Sequence, residues 1–411
     1  MRYRDAVLAF LVALALTGAS TPIVASLARR IGAVAKPGER GLASRETPLL
    51  GGLAILVGVV VAIAVWVSDA VPQTGESHLY AIIAGAVVIT LVGAIDDRVN
   101  LKPPVKLSGQ IVAAVVVVAG GVKLGSIDLP FAGQLNFPRA GPLHAGPILS
   151  VIILVVVMNA VNFSDGIDGL AAGLCAIDGI TFSILAFNVA RGPTALEVVT
   201  AAILASATAG GALGFLVHNF HPASVFMGDS GSNLLGYLLG VTAILGSLKV
   251  AVGVALVVPL MILAVPFLDT AFVVAKRLKY GNKPWSRDMN HFHHRMARIG
   301  FSQRKTVAYL YAWTVMLAGV AIALGFIPWK DHQRPYHYHL GWVLVMAGIC
   351  LAALAASVYL VYVLEIFKFK RLRTRELRTL EPDTAEHEIE VRVEHEVQAG
   401  EFETGEFERL G

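Results

Sequence analysis

The sequence predicts an all-α, polytopic membrane protein of about eleven transmembrane helices (10–11), with its N-terminus outside and its C-terminus cytoplasmic. Three observations lead there. The 411 residues are 56% hydrophobic and only 15% charged, whereas a soluble domain is closer to a quarter charged. Long apolar runs approach the ~20 residues that cross a hydrocarbon core. Lys and Arg divide unevenly between alternate loops, as topology signals do.

In chain order the predicted spans are 6–26, 49–67, 79–95, 107–122, 147–161, 169–190, 197–217, 233–248, 250–275, 308–327 and 340–364. Arg2 and Arg4 before the first run would suit a secretory signal, but ten further runs make it the first span instead. The fifth and eighth runs are short enough that one could be re-entrant. Loops 27–48, 96–106, 162–168, 218–232 and 276–306 hold 17 Lys and Arg, against 8 in the N-terminus and the opposite loops and 8 after residue 365. The positive-inside rule therefore assigns those five loops to the cytoplasm. The basic residues read as topology and anionic-headgroup contacts, not as a nucleic-acid surface. Cys175 and Cys350 both fall inside spans, which gives neither a disulfide framework nor a cysteine metal cluster. Residues 1–366 form one transmembrane domain, and 367–411 a cytoplasmic tail. The tail begins with the basic run "KFKRLRTREL" and turns acidic and poor in large apolar groups, so disorder is expected there.

Polar residues gather on the predicted cytoplasmic side. They fall in "GAIDDRVNLKP" (93–103), "NFSDGIDG" (162–169), "HNFHPASVFMGDSGS" (218–232) and "KPWSRDMNHFHHR" (283–295). Each has a plain reading alone: Asp96 and Asp97 ending a span at water, "DGIDG" as a helix break with an Asp cap, "GDSGS" as a turn, "HFHH" as a solvated loop or a zinc site. Together they point elsewhere. Charge at the edge of lipid-like segments is costly and by default functional, and adjacent aspartates repel unless a cation or proton lies between them. With no cysteines and many carboxylates, hard oxygen coordination of Mg²⁺ or Mn²⁺ suits the set best. Glycine-rich turns expose amides to an anion, and Arg287, Arg295 and the histidines can balance further phosphate charge. Phe226 offers an aromatic face for a base, or an ordinary packing residue.

The stretches "GAIDDRVNLKPPVKLSGQ", "NAVNFSDGIDGLAAG", "VFMGDSGSNLLG", "VPFLDTAFVVAKR" and "HFHHRMARIGFSQRKTV" together resemble the polyprenyl-phosphate N-acetylhexosamine-1-phosphate transferases, glycosyltransferase family 4. The resemblance spans about residues 30–306. It implies transfer of a sugar-1-phosphate from a UDP-sugar to a polyprenyl phosphate, with release of UMP and with Mg²⁺ or Mn²⁺ on the cytoplasmic face of the cell membrane. It implies that Asp96 and Asp97 handle the metal and activate the lipid phosphate, and that Asp229 ligates the metal. Asn162, Asp165 and Asp168 would hold the UDP end of the donor, Phe226 would stack on uracil, and His291, His293 and His294 would contact donor phosphates. The spaced form "HFHH" resembles the N-acetylglucosamine branch rather than the muramoyl-pentapeptide branch, which carries three consecutive histidines. One departure is Ala35, where that branch usually has Asp before Lys-Pro. The implied partners are UDP-N-acetylglucosamine, a polyprenyl phosphate and the membrane, with a homodimer left open. A transporter of an anionic substrate is the rival reading. Transporters place polar residues near the midplane and often in two related halves, and this sequence shows neither.

Overall fold

The computed structural model describes residues 3–35, 46–70, 76–124, 126–129, 133–136, 145–189, 195–247, 263, 302–326, 339–380, 388–389 and 391–393. Within them lie α1 (Tyr3–Ile31), α2 (Gly51–Ala70), α3 (Glu76–Val99), α4 (Pro103–Ala119), α5 (Ala145–Ser164), α6 (Leu170–Val189), α7 (Ala195–Asn219), α8 (Gly228–Ser247), α9 (Gln303–Phe326) and α10 (Leu340–Leu380). Every predicted span on described residues is a helix. The predicted span 250–275 lies outside them apart from Leu263. Seven of the helices are long and apolar enough to cross a bilayer: α1, α3, α5, α6, α7, α9 and the first half of α10. α2 and α4 contribute shorter apolar stretches, Gly51–Trp66 and Pro103–Ala119. α8 opens with the polar turn GDSGSN, five residues before the span the sequence predicted, which dilutes its apolar character. This is a multi-pass membrane protein.

Its outer faces are apolar, as lipid requires. Val57, Val61 and Val65 on α2, Ile111 and Val115 on α4, and Ile148, Ile152 and Val156 on α5 are all exposed. α7 and α8 run through the centre, where Phe215 and Tyr237 are fully buried. The Tyr237 hydroxyl donates to Ile82 O of α3 at 3.1 Å, which satisfies it in a region without water. α1 and α7 approach closely because small residues face the partner backbone. A Cβ at Gly210 would lie 2.1 Å from Phe10 O, and one at Gly214 2.3 Å from Leu14 O. Lipid supplies no hydrophobic force between helices, so such close packing is what holds them.

Pro22 inside α1 removes the amide that would bond Gly18 O one turn earlier. The His218 ring replaces it: Nε2 lies 2.9 Å from Gly18 O and, facing a carbonyl, must donate. The broken bond of one span is thus repaired by its neighbour.

Two short hairpins were not anticipated by the helix-only reading. β1 (Val34–Ala35) pairs with β2 (Thr47–Pro48), and β3 (Ser126–Leu129) with β4 (Gly133–Asn136), both antiparallel. They cap opposite ends of the bundle, β1–β2 between α1 and α2 and β3–β4 between α4 and α5. The last helix runs past residue 367, where the sequence placed the start of the tail. α10 continues without a break through "KFKRLRTREL" to Leu380, since nothing in that run is Gly or Pro. Beyond it, Ile389 and Val393 bury against Leu377, so part of the tail carries apolar groups at helical spacing and packs. The rest of the tail lies outside the described residues.

Candidate active site

Helix direction alternates along the chain, which brings the ends of α1, α3, α5 and α7 to the same end of the bundle as the starts of α2, α4, α6 and α8. Among the described residues, that end carries three of the predicted polar stretches, 93–103, 162–169 and 218–232. Its centre is the start of α8. Gly228 opens the helix at φ +68°, a conformation side chains resist, and a Cβ there would lie 2.3 Å from Asp97 Oδ2. Asp97 uses this room to cap α8 from another helix. Its Oδ1 accepts the Asp229 amide at 2.8 Å, and its Oδ2 accepts the Ser230 amide at 3.2 Å and the Ser230 hydroxyl at 2.9 Å. Unsatisfied amides and the positive end of the helix dipole favour a carboxylate here. Both oxygens of Asp97 thus meet the start of α8.

Asp229 sits one residue into this helix and faces a small charged cluster. Lys106 Nζ makes a close ion pair with Asp229 Oδ2, lies 3.3 Å from Asp96 Oδ2 and donates to Asn162 Oδ1 at 3.4 Å. Asn162 Nδ2 donates in turn to Asp229 Oδ1 at 2.9 Å and to Ser232 Oγ at 2.8 Å. Asp96 is steadied by the Leu101 amide, 2.6 Å from its Oδ1. Four helices thus place two carboxylates, one ammonium and one amide around a single point. Behind it a polar string enters the bundle. Asn233 Nδ2 donates to Asp229 O, Gln110 Nε2 to Asn233 Oδ1, and Asn159 Nδ2 to Gln110 Oε1, each at 2.8 Å.

The sequence motif grouped Asn162 with Asp165 and Asp168, and the structure divides them. Asn162 belongs to the Lys106–Asp229 cluster. Asp168 Oδ2 instead faces His221 Nδ1 at 2.8 Å and accepts the Ala223 amide at 3.0 Å. Asp165 lies half-buried in the turn that follows α5, its amide on Asn162 O at 3.2 Å. Phe226 is fixed through its backbone, its amide to Pro48 O at 2.9 Å and its carbonyl from the Gly51 amide at 3.2 Å, with the ring partly exposed. Arg287, His291, His293, His294 and Arg295 lie outside the described residues.

Among the described residues no three His, Cys, Asp or Glu side chains converge as one ligand group. The donor set that fits a hard divalent cation is Asp229 with Asp96, the remaining positions falling to phosphate oxygens and water, as Mg²⁺ prefers. Two carboxylates against one ammonium leave the negative charge that such an ion would balance.

Lys106, Gln110, Asn159, Asn233 and His221 were not assigned from sequence. A signal was present. Lys106 and Gln110, Asn159 and Asn162, and Asp229 and Asn233 are pairs spaced three or four apart at the site ends of apolar helices, so each pair shares a face.

The model of glycosyl transferase family 4 matches residues 79–247, which holds this cluster. A Bacillus subtilis protein described as a probable undecaprenyl-phosphate N-acetylglucosaminyl 1-phosphate transferase is 35% identical over 324 residues, covering 77% of this chain and 84% of its own. The chain belongs to glycosyl transferase family 4. Other members of the family are similarly related. The Mycolicibacterium smegmatis decaprenyl-phosphate N-acetylglucosaminephosphotransferase is 35% identical over 346 residues, covering 79% of this chain and 84% of its own. A Desulforamulus reducens phospho-N-acetylmuramoyl-pentapeptide-transferase is 31% identical over 347 residues, covering 79% and 97%.

Proposed function

We propose that this family 4 member transfers N-acetylglucosamine-1-phosphate from UDP-N-acetylglucosamine to a polyprenyl phosphate, releasing UMP, at the cytoplasmic face of the cell membrane. The product would begin a cell-wall or surface polysaccharide. The observation that carries this reading is the convergence of Asp96, Lys106, Asn162 and Asp229 at one end of a lipid-facing bundle. The names of the relatives support the donor and acceptor.

The chemistry is phosphoryl transfer by positioning and electrostatics. A polyprenyl-phosphate oxygen bonds to the β-phosphorus of the donor, the bond from that phosphorus to the bridging oxygen breaks, and UMP leaves. Lys106 offers its ammonium to the donor phosphates, and Asn162 holds Asp229 in place beside it. Asp96, whose Oδ2 faces the Lys106 ammonium, is the carboxylate that would accept a proton from the lipid phosphate. The demand on that base is small, since the second ionisation of a phosphate monoester is near neutrality. Asp229 with Asp96 would hold Mg²⁺ or Mn²⁺, which when bound neutralises diphosphate charge and polarises the reacting phosphorus. Phe226 and Asp168 serve the nucleoside, one by stacking and one as a hydrogen-bond acceptor.

Purified protein in lipid nanodiscs, given radiolabelled UDP-N-acetylglucosamine and polyprenyl phosphate, should form a lipid-linked product and stoichiometric UMP. Product only from the muramoyl-pentapeptide donor would overturn the sugar assignment. Uptake of label into vesicles without product would make the protein a transporter.

A further inference from the structure

We infer that His221 is a positioning residue for the donor nucleoside, acting through Asp168; this rests on the transferase reading above. The geometry singles out one oxygen. His221 Nδ1 and the Ala223 amide both reach Asp168 Oδ2, at 2.8 and 3.0 Å. Facing a carboxylate, Nδ1 must carry the proton. Among the described residues Asp168 Oδ1 accepts no hydrogen bond, and the Asp168 side chain is 15% exposed. The carboxylate is therefore anchored by one oxygen and presents the other, as an acceptor for an N–H or O–H such as a base imide or a ribose hydroxyl.

His221 can do this because its own backbone is held from both sides. Arg304 Nη2, at the start of α9, donates to His221 O at 3.2 Å. Asn219, two residues earlier, accepts the Gly169 amide at 3.0 Å and donates to Val225 O at 3.0 Å. Tyr311 of α9 donates to Gly169 O across the same turn. The loop carrying the imidazole and the turn carrying Asp168 are thereby one rigid unit. Without the imidazole, Asp168 keeps a single amide bond and can rotate its free oxygen out of line.

A plain staple between two loops would lower melting temperature and turnover and leave donor affinity alone, so affinity decides. His221→Ala should raise the KM for UDP-N-acetylglucosamine about tenfold, the scale of one lost hydrogen bond to a charged group, with kcat within about threefold. The inhibition constant of UMP should rise in parallel. His221→Asn, whose amide nitrogen can stand where Nδ1 stands, should recover most of both. In an Asp168→Asn background His221→Ala should add nothing further to KM. Calorimetric binding of UMP gives the same comparison without turnover, so an inactive wild type would sink the transferase reading while still testing His221. UMP affinity and KM unchanged in His221→Ala, or a fall in kcat alone, would overturn the inference.

Discussion

Lys106 is the residue on which the site's charge balance turns. Its ammonium is shared between Asp96 and Asp229, with the Asn162 amide oxygen beyond. Removing one partner of a largely buried charged group strands the others, and here it also removes a cation from the phosphate position. Lys106→Met is expected to lower kcat/KM by roughly a hundredfold, the usual scale for one electrostatic contact to developing charge, while the protein still purifies as a monodisperse species. Activity within threefold of wild type in the nanodisc assay would show that the ammonium is dispensable. Asp178 is the opposite case. It is fully buried in α6, and neither carboxylate oxygen has a hydrogen-bond partner among the described residues. An unpaired polar group in such surroundings destabilises the fold. Asp178→Leu, which keeps the branched four-atom outline without the polar oxygens, is therefore expected to raise the melting temperature and to leave transfer activity intact. A lower melting temperature would mean that the carboxyl is satisfied in the working protein.

At the scale of elements, α8 is built to begin where it does. Gly228 adopts positive φ against Asp97, while Gly52 and Gly93 let α2 and α3 close on Ser230, where their Cβ atoms would fall at 2.2 and 2.5 Å. Gly228→Ala adds about 1–2 kcal/mol of backbone strain and a clash with the carboxylate that caps the helix. The expected result is a lower melting temperature together with near-complete loss of transfer, measured on the same preparation. An unchanged melting curve would show that the cap is not needed. This element also shows what sequence could and could not tell. Its apolar repeat was legible as a span, and "GDSGS" as a turn bearing a functional aspartate. That Asp97, more than a hundred residues away, would supply the cap was not legible, because local patterns do not encode which chain end meets which. For the same reason Asn162 and Asp168, close in sequence, were read as one group although they serve two clusters.

At the scale of the molecule, the alternating helices put the Lys106–Asp229 and Asp168–His221 clusters at one end and the β3–β4 hairpin at the other. The apolar runs alone located each described span, since crossing length and composition are properties of the local chain. Orientation rests on the uneven distribution of Lys and Arg. In a background lacking Cys175 and Cys350, a cysteine replacing exposed Ser224 should be protected from a membrane-impermeant thiol reagent in intact cells. One replacing Gln134 of the hairpin should be labelled. The reverse pattern would place the cluster outside, where a cytoplasmic nucleotide-sugar cannot reach it.

The polar string behind Asp229 has a consequence for how this protein can change over generations. Gln110, Asn159 and Asn233 each answer another's hydrogen bond, Gln110 and Asn233 buried and Asn159 partly so. An apolar replacement at any one leaves its neighbours unanswered, at about 1–3 kcal/mol for each stranded group, whereas a matched exchange of all three is nearly level. Single steps along that route lead downhill before they lead anywhere else. The three amides are therefore coupled, so that once one is lost the others cost less to lose than they would alone.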